Sequence, residues 1–495
     1  MCTWPASNRL VHRMSRAATM LAAVLAAVAS LAGCMVGPDF KRPPVPRVSR
    51  FVAADAAAGA WTAGGQAQAL SAGEPLTRDW WTRFGSRAID STVGEALTGS
   101  PTLDLAEATL RRSEHALRAG EGIFFPQADA QAGASRQRDT PLRTGQALPA
   151  SIFNLFTLSA TVSYTLDLWG GERRQIEALA ADVDARRQAL AGAYLMLTAN
   201  VVNTMIARAA YRDEAAATRE MIGLLDEQIR LTRAQVTAGA AAYVAVLTLE
   251  SQRASLEATL PALDQKRAQA DDLLALLAGR YPVDWQTPDL SLERIALPAR
   301  LPDTAPSSLV RRRPDILQAE AQLHVASAQV GVATAALYPT LTLSASGGFD
   351  SIVAGRLFAP AGRAWSVGAG LTAPLFHGGT LLNQRRAAQD AYEEADATYR
   401  QVVLSAFSQV ADTLRALAND ATALDAQARA MAAARDALTL TQAGYDAGIS
   451  GYVPLLVADV QYHQARLAWL QALAQRLQDT VAFYVALGGG WGDAG

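Results

Sequence analysis

The chain has 495 residues, half of them hydrophobic and 18% charged, with a formal net charge of −2. That balance lacks the basic excess by which nucleic-acid-binding proteins are usually known, and the length allows several domains. Alanine is abundant, which favours helices and lets their backbones approach closely.

Arg9, Arg13 and Arg16 precede an apolar run, Ala17 to Ser30, that is too short to span a bilayer. The pattern predicts a signal peptide over 1–33. It ends in Leu31-Ala32-Gly33-Cys34, which resembles a bacterial lipobox. Cys34 is then the lipid attachment residue, carrying diacylglycerol and palmitate, since one acyl chain alone anchors only marginally. Cys2 lies within the removed segment, so no disulfide and no cysteine-ligated metal site is expected. Met35, in place of aspartate, resembles enteric lipoproteins sent on to the outer membrane. No other run reaches ~18 uninterrupted apolar residues, so a membrane crossing would have to use strands.

Residues 34–78, with Pro38, Pro43, Pro44 and Pro46, read as an extended tether. Trp80-Trp81 and Phe84 open a first repeat, 79–280. Pro101 starts a helix, and after Pro126 the period changes to two: Ala128, Ala130, Ala132 and Ala134 alternate with polar or small residues. Leu158, Ala160, Val162, Tyr164, Leu166 and Leu168 alternate likewise, which predicts a hairpin over ~127–168. A long helix is expected over ~172–237 and a return helix over ~243–277. A Pro-rich connector, 281–312, follows.

A second repeat, 313–487, has the same landmarks. Pro314 to Pro339 matches Pro101 to Pro126 without a gap, and Gly378-Gly379 matches Gly170-Gly171. A hairpin is expected over ~340–375, a long helix over ~380–443, a return helix over ~453–487 and a tail over 488–495. The long helix has neither proline nor glycine. Tyr399, Val403, Ala406, Val410, Leu414, Leu417, Ala421, Leu424, Ala428, Met431 and Leu438 are spaced mostly by three and four, the mark of a supercoiled seam. Such a helix is ~95 Å long at its standard rise, too long for a globular core.

The fold class is therefore α+β with internal duplication. Strands of this length cross a bilayer when tilted, with one apolar face and one small polar face. Four strands cannot close a barrel, and an open edge in lipid strands backbone groups, so other copies must complete it. Two chains would give 8 strands and three would give 12. A lipid-anchored coiled-coil scaffold is the competing reading, but it has no need of such strands.

These residues resemble the TolC-like outer-membrane factors, within them the NodT- and OprM-like lipoprotein branch of efflux outer-membrane subunits of tripartite RND-type (resistance-nodulation-division) pumps. The resemblance rests on Trp80-Trp81-Thr82-Arg83-Phe84, Ser163 to Gly170, Arg312-Arg313-Pro314-Asp315-Ile316, Leu337 to Leu343, Pro374 to Gly379, and Ala486 to Trp491. It implies a homotrimer in the outer membrane, with a 12-stranded β-barrel continued by a periplasmic α-helical barrel. The implied partners are a periplasmic membrane-fusion adaptor and an inner-membrane RND-type transporter. The channel would be a passive exit duct and not an enzyme, with no cofactor beyond the lipid on Cys34. Tyr445, Asp446 and Asp459 become candidates for the periplasmic gate, and Gly239, Tyr243, Gly448 and Tyr452 for tips that contact the adaptor. The family's usual Leu-Leu-Asp reads Leu455-Leu456-Val457 here, so an acid is missing at that point. The histidines have no metal-ligand spacing, the methionines do not cluster, and Arg311 to Arg313 reads as a solvated or structural patch.

Overall fold

In the computed structural model, the described residues are 35–48, 50–52, 60–63, 66–140 and 149–490. The expected signal peptide, Cys34, the middle of the first hairpin loop and residues 491–495 lie outside them.

The elements in chain order are β1 (Ala60–Ala63), β2 (Gln66–Ala72), α1 (Arg87–Gly99), α2 (Pro101–Glu121), β3 (Gln127–Asp139) and β4 (Ser151–Leu166). Then come α3 (Gly171–Thr237), α4 (Tyr243–Glu257), α5 (Leu260–Leu277), β5 (Arg300–Asp303), α6 (Pro306–Arg312) and α7 (Pro314–Ala335). The second repeat continues with β6 (Thr340–Ser351), β7 (Arg363–Thr372), α8 (Thr380–Asp446) and α9 (Tyr452–Ala486). Two units of structure share these elements. One comprises Met1–Arg42, Arg111–Asp184 and Glu320–Thr398; the other comprises Pro43–Leu110, Ala185–Ala319 and Tyr399–Gly495.

The first unit is built on a four-stranded antiparallel sheet in the order β3-β4-β6-β7. Where β4 ends, the indole N–H of Trp169 donates to the Pro339 carbonyl at 2.8 Å, and its ring stacks on Tyr338 with centroids 4.7 Å apart. Two stretches singled out in separate repeats thus touch. Residues just after Cys34 are not a free tether. The Val36 N–H donates to the Trp169 carbonyl at 2.9 Å, and the buried Arg174 guanidinium donates to Asp39 at 2.6 Å and to Glu177 at 2.7 Å. Phe40 stacks on His324 at 4.2 Å, and Arg42 pairs with Glu320 at 2.5 Å. Gly37, at φ +92°, lies so close to α7 that a Cβ there would come within 2.4 Å of the Gly331 Cα.

The second unit holds most of the long helices. Tyr399, Val403, Ala406, Val410, Leu414, Leu417, Ala421 and Leu424 are buried and form the packed seam of α8, whereas Ala428, Met431 and Leu438 towards the tip are only partly buried. Its core continues in Trp80 and Phe84, both fully buried, with Trp80 stacked on Tyr484 at 5.3 Å. The expected tether differs here too: β1 and β2 pair antiparallel, and β2 runs parallel to β5 from the Pro-rich connector. The return helix of repeat 1 also differs, being split into α4 and α5. Pro261 in the first turn of α5 has no N–H, so the ladder cannot run on from α4. Pro454, by contrast, falls in the first turn of α9, where an N–H has no partner to lose.

Arg313 of the expected arginine patch is structural. It is buried, forks onto Asp315 at 3.0 and 2.7 Å, and donates to the Ala486 carbonyl and to Gln409, both at 2.8 Å. One window in α3 has a mean hydropathy of 1.4, enough by composition to cross a membrane. The buried Val201, Val202, Met205 and Ile206 in this helix are part of a protein core, which accounts for the apolarity.

Candidate functional site

Two features are candidates for function: a two-faced sheet in the first unit and a helix tip in the second. In the sheet the register fixes which residues share a row. Ala128, Val162, Ala345 and Val367 form one row; Tyr164, Leu343 and Ala369 the next; Leu166, Leu341 and Leu371 the last. All lie on one face, and much of it is bare: Trp365 is 80% exposed, Val367 75% and Leu371 68%. The opposite face has Gln127, Ser163, Ser344 and Gly368 in one row and Asp129, Thr161, Ser346 and Ser366 in another. Hydroxyls meet across it, Ser346 to Ser366 at 2.8 Å and Thr165 to Thr342 at 3.4 Å. An apolar exposed face suits hydrocarbon, while a small polar face suits a water-filled path.

The tip is closed by the same device in both repeats. The Gly448 N–H donates to the Tyr445 carbonyl and the Ile449 N–H to the Gly444 carbonyl, both at 2.9 Å. At the end of α3 the Gly239 N–H donates to Val236 at 3.0 Å and the Ala240 N–H to Gln235 at 2.8 Å. Gly239 and Gly448 have φ of +74° and +72°, the left-handed conformation that this helix stop requires. Tyr243 is 59% exposed beside Val244, and Ile449 is 86% exposed.

Tyr445 and Tyr452 face one another across the second turn, with ring centroids 5.1 Å apart. Asp446 is exposed and accepts a hydrogen bond from Gln442 at 2.9 Å. Glu227 of α3 carries its negative charge near the Tyr452 phenol. Burial, then the Glu227 charge, raises the Tyr452 phenol above its ordinary range. Glu227 is itself held low, chiefly by its hydrogen bond with Arg230 at 2.5 Å.

Asp459 is only partly exposed and belongs to an interhelical cluster. His463 Nε2 lies 3.5 Å from Asp459, His463 Nδ1 lies 3.3 Å from Glu220 of α3, and Arg466 pairs with the same Glu220 at 3.0 Å. Burial raises the Asp459 carboxyl, the nearby His463 lowers it, and Glu220 raises it. Val457, where the acid is missing, is 44% exposed. Glu220, Glu227 and His463 went unrecognised in the sequence. Arg466 and Glu220 are 246 positions apart, and no local pattern announces such a pairing.

A sheet that is apolar outside and polar inside, in a duplicated chain of long paired helices, defines an outer-membrane efflux channel. The family model described as "Outer membrane efflux protein" matches residues 92–280 and 305–489, and the chain belongs to that family. The pyoverdine export outer membrane protein OpmQ of Pseudomonas aeruginosa is 32% identical over 421 residues, 84% of this chain and 88% of its own length. The toluene efflux pump outer membrane protein TtgC of Pseudomonas putida is 29% identical, with 93% of each chain covered. Among solved structures, the outer-membrane channel OprN superposes with a TM-score of 0.81 at 27% identity, covering 93% of this chain and all of that one.

Proposed function

We propose that three copies of this chain assemble into the exit duct of a tripartite efflux pump. Each copy would contribute four strands to a 12-stranded barrel, with the long helices forming a tube in the periplasm. The observation that carries this is the four-stranded sheet with an exposed apolar face and two unpaired edges, β3 and β7. In lipid each unpaired backbone group costs several kcal/mol, so neighbouring copies must pair those edges. Cys34, bearing diacylglycerol and palmitate, anchors each copy to the membrane. The partners are a periplasmic adaptor and an inner-membrane RND-type transporter, which supplies the energy, and the cargo is drug-like or other small molecules. The relatives' names, pyoverdine export and toluene efflux, support the export of small compounds.

Within that duct, Tyr445 and Asp446 form the periplasmic constriction, and the Tyr452 ring lies against that of Tyr445. Asp459 contributes through its contact with His463 rather than as an open acidic ring. The exposed tips around Gly239, Tyr243, Gly448 and Tyr452 meet the adaptor.

The test is mobility of unheated protein in detergent gels, followed by crosslinking and mass spectrometry in membranes. A strand-closed trimer runs far above the 52.3 kDa chain and collapses on boiling. An adaptor and an inner-membrane transporter should be recovered with it. A monomer before heating would return the chain to the scaffold reading.

A further inference from the structure

The duplication extends to single residues of the helices. α3 and α8 each have 67 residues. Gly171 answers to Thr380, Gly239 to Gly448 and Tyr243 to Tyr452, each 209 positions on. Within the second unit, α9 of repeat 2 covers one face of α3. Met221 and Leu225 of α3 cluster with Val460 of α9, and Glu220 pairs with Arg466 at 3.0 Å and with His463 at 3.3 Å. The matching face of α8 is bare. Leu195 is 6% exposed, and its counterpart Leu404 is 70% exposed. Ala199, Ile206, Ala217 and Met221 are buried, whereas their counterparts Ser408, Arg415, Ala426 and Ala430 are exposed. These positions recur at helical spacing along one side of α8.

We propose that α8 of each copy docks on α4 of the next, with Arg429 paired to Glu257 of the adjacent copy. The proposal rests on the reading of the chain as an oligomeric duct, and it names one helix seam that holds the copies together. The element that answers to α9 is α4, and the sequence has no further repeat to supply another. Carried over by the duplication, the α3–α9 ion pair returns with its signs exchanged. Glu220 answers to Arg429, and Arg466 answers to Glu257. An acid on the long helix facing a base thus becomes a base facing an acid, and the attraction is kept.

Both side chains are exposed, and each has a partner on its own helix: Arg429 meets Asp425 at 3.1 Å and Glu257 meets Arg253 at 2.8 Å. Across the seam the four make a row of alternating sign, Asp425, Arg429, Glu257 and Arg253. His463 and Val460 answer to Ala254 and Ser251, which bring no charge against it. The match holds along α4 because the helix runs unbroken from Tyr243 to Glu257, and the interruption at Pro261 falls beyond the contact. Arg429 lies about 28 Å along α8 from the turn at Gly448, so this seam is separate from the constriction at Tyr445.

The experiment treats membranes holding the full-length double variant Arg429→Cys/Glu257→Cys with a short bis-maleimide, then runs boiled, reduced samples on a denaturing gel. Bands at two and three times the 52.3 kDa chain are expected from the double variant and not from the wild type or either single variant. Charge reversal gives a second measurement that needs no cysteine. Arg429→Glu and Glu257→Arg each set like charges across the seam and should lower the temperature at which the unheated oligomer dissociates by a few degrees. The two reversals combined should restore it. An oligomer that survives unheated, yet gives no cross-linked bands and no rescue by the combined reversal, would overturn this seam and leave the duct reading standing. A wild-type chain that is monomeric before heating would remove both.

Discussion

The ring of Tyr445, at the end of α8, lies 5.1 Å from that of Tyr452, at the start of α9, and the charge of Glu227 on α3 helps raise the Tyr452 phenol above its ordinary range. Tyr452→Phe should keep the ring contact and lose the phenol hydroxyl. Tyr452→Ala should lose both. Single-channel conductance in planar bilayers is expected to rise in the order wild type, Tyr452→Phe, Tyr452→Ala. Equal conductance in all three would remove Tyr452 from the gate.

The bare apolar rows of the sheet make a graded prediction. Val367→Arg places a charge on the lipid side and should cost ~2–4 kcal/mol if the residue sits near the bilayer midplane. Ser344→Asn, on the opposite face, changes a small polar residue for another polar one and should be close to neutral. The fraction of heat-dissociable oligomer recovered from membranes measures both. Equal recovery of the two variants would mean that the apolar face does not meet lipid.

Arg313 joins three segments, Asp315 on its own helix start, Gln409 on α8 and the Ala486 carbonyl at the end of α9. Arg313→Met leaves a buried carbonyl without its donor, at a cost of about 1–3 kcal/mol. Arg313→Lys should recover little of this, because an ammonium cannot form the two-pronged contact with Asp315. Thermal midpoints of the two variants should therefore fall close together and below the wild type.

Gly37 and Gly331 touch backbone to backbone, leaving no room for a side chain between the segment that follows Cys34 and α7. Gly37→Val should release Met35 to Arg42 from that surface without unfolding the helices. Trypsin cleavage after Lys41 in intact purified protein would then accelerate several-fold. Unchanged cleavage kinetics would mean that the Arg174 and Phe40 contacts alone hold the segment.

Much of the fold was legible because its signals are local and periodic. Alternation from Leu158 to Leu166 placed an apolar face on β4, and the spacing from Tyr399 to Leu424 marked the buried seam of α8. The glycines at 239 and 448 marked the two helix stops, since few other residues adopt the left-handed turn they need. The duplication then did for topology what no single motif could, because each landmark was seen twice. The break between α4 and α5 was also written in the chain, at Pro261, and was missed under an otherwise helical pattern.

What the sequence could not decide were pairings between distant segments whose residues carry no periodic mark. The parallel contact of β2 with β5, the docking of Val36 to Arg42 near Trp169, and the meeting of His463 with Glu220 are of this kind. A heptad or an alternation states which face of an element is apolar, because burial of that face is the dominant favourable term in folding. It does not state which polar group on one face meets which on another. That depends on the axial registry of one helix against its neighbour, which the whole packed core sets.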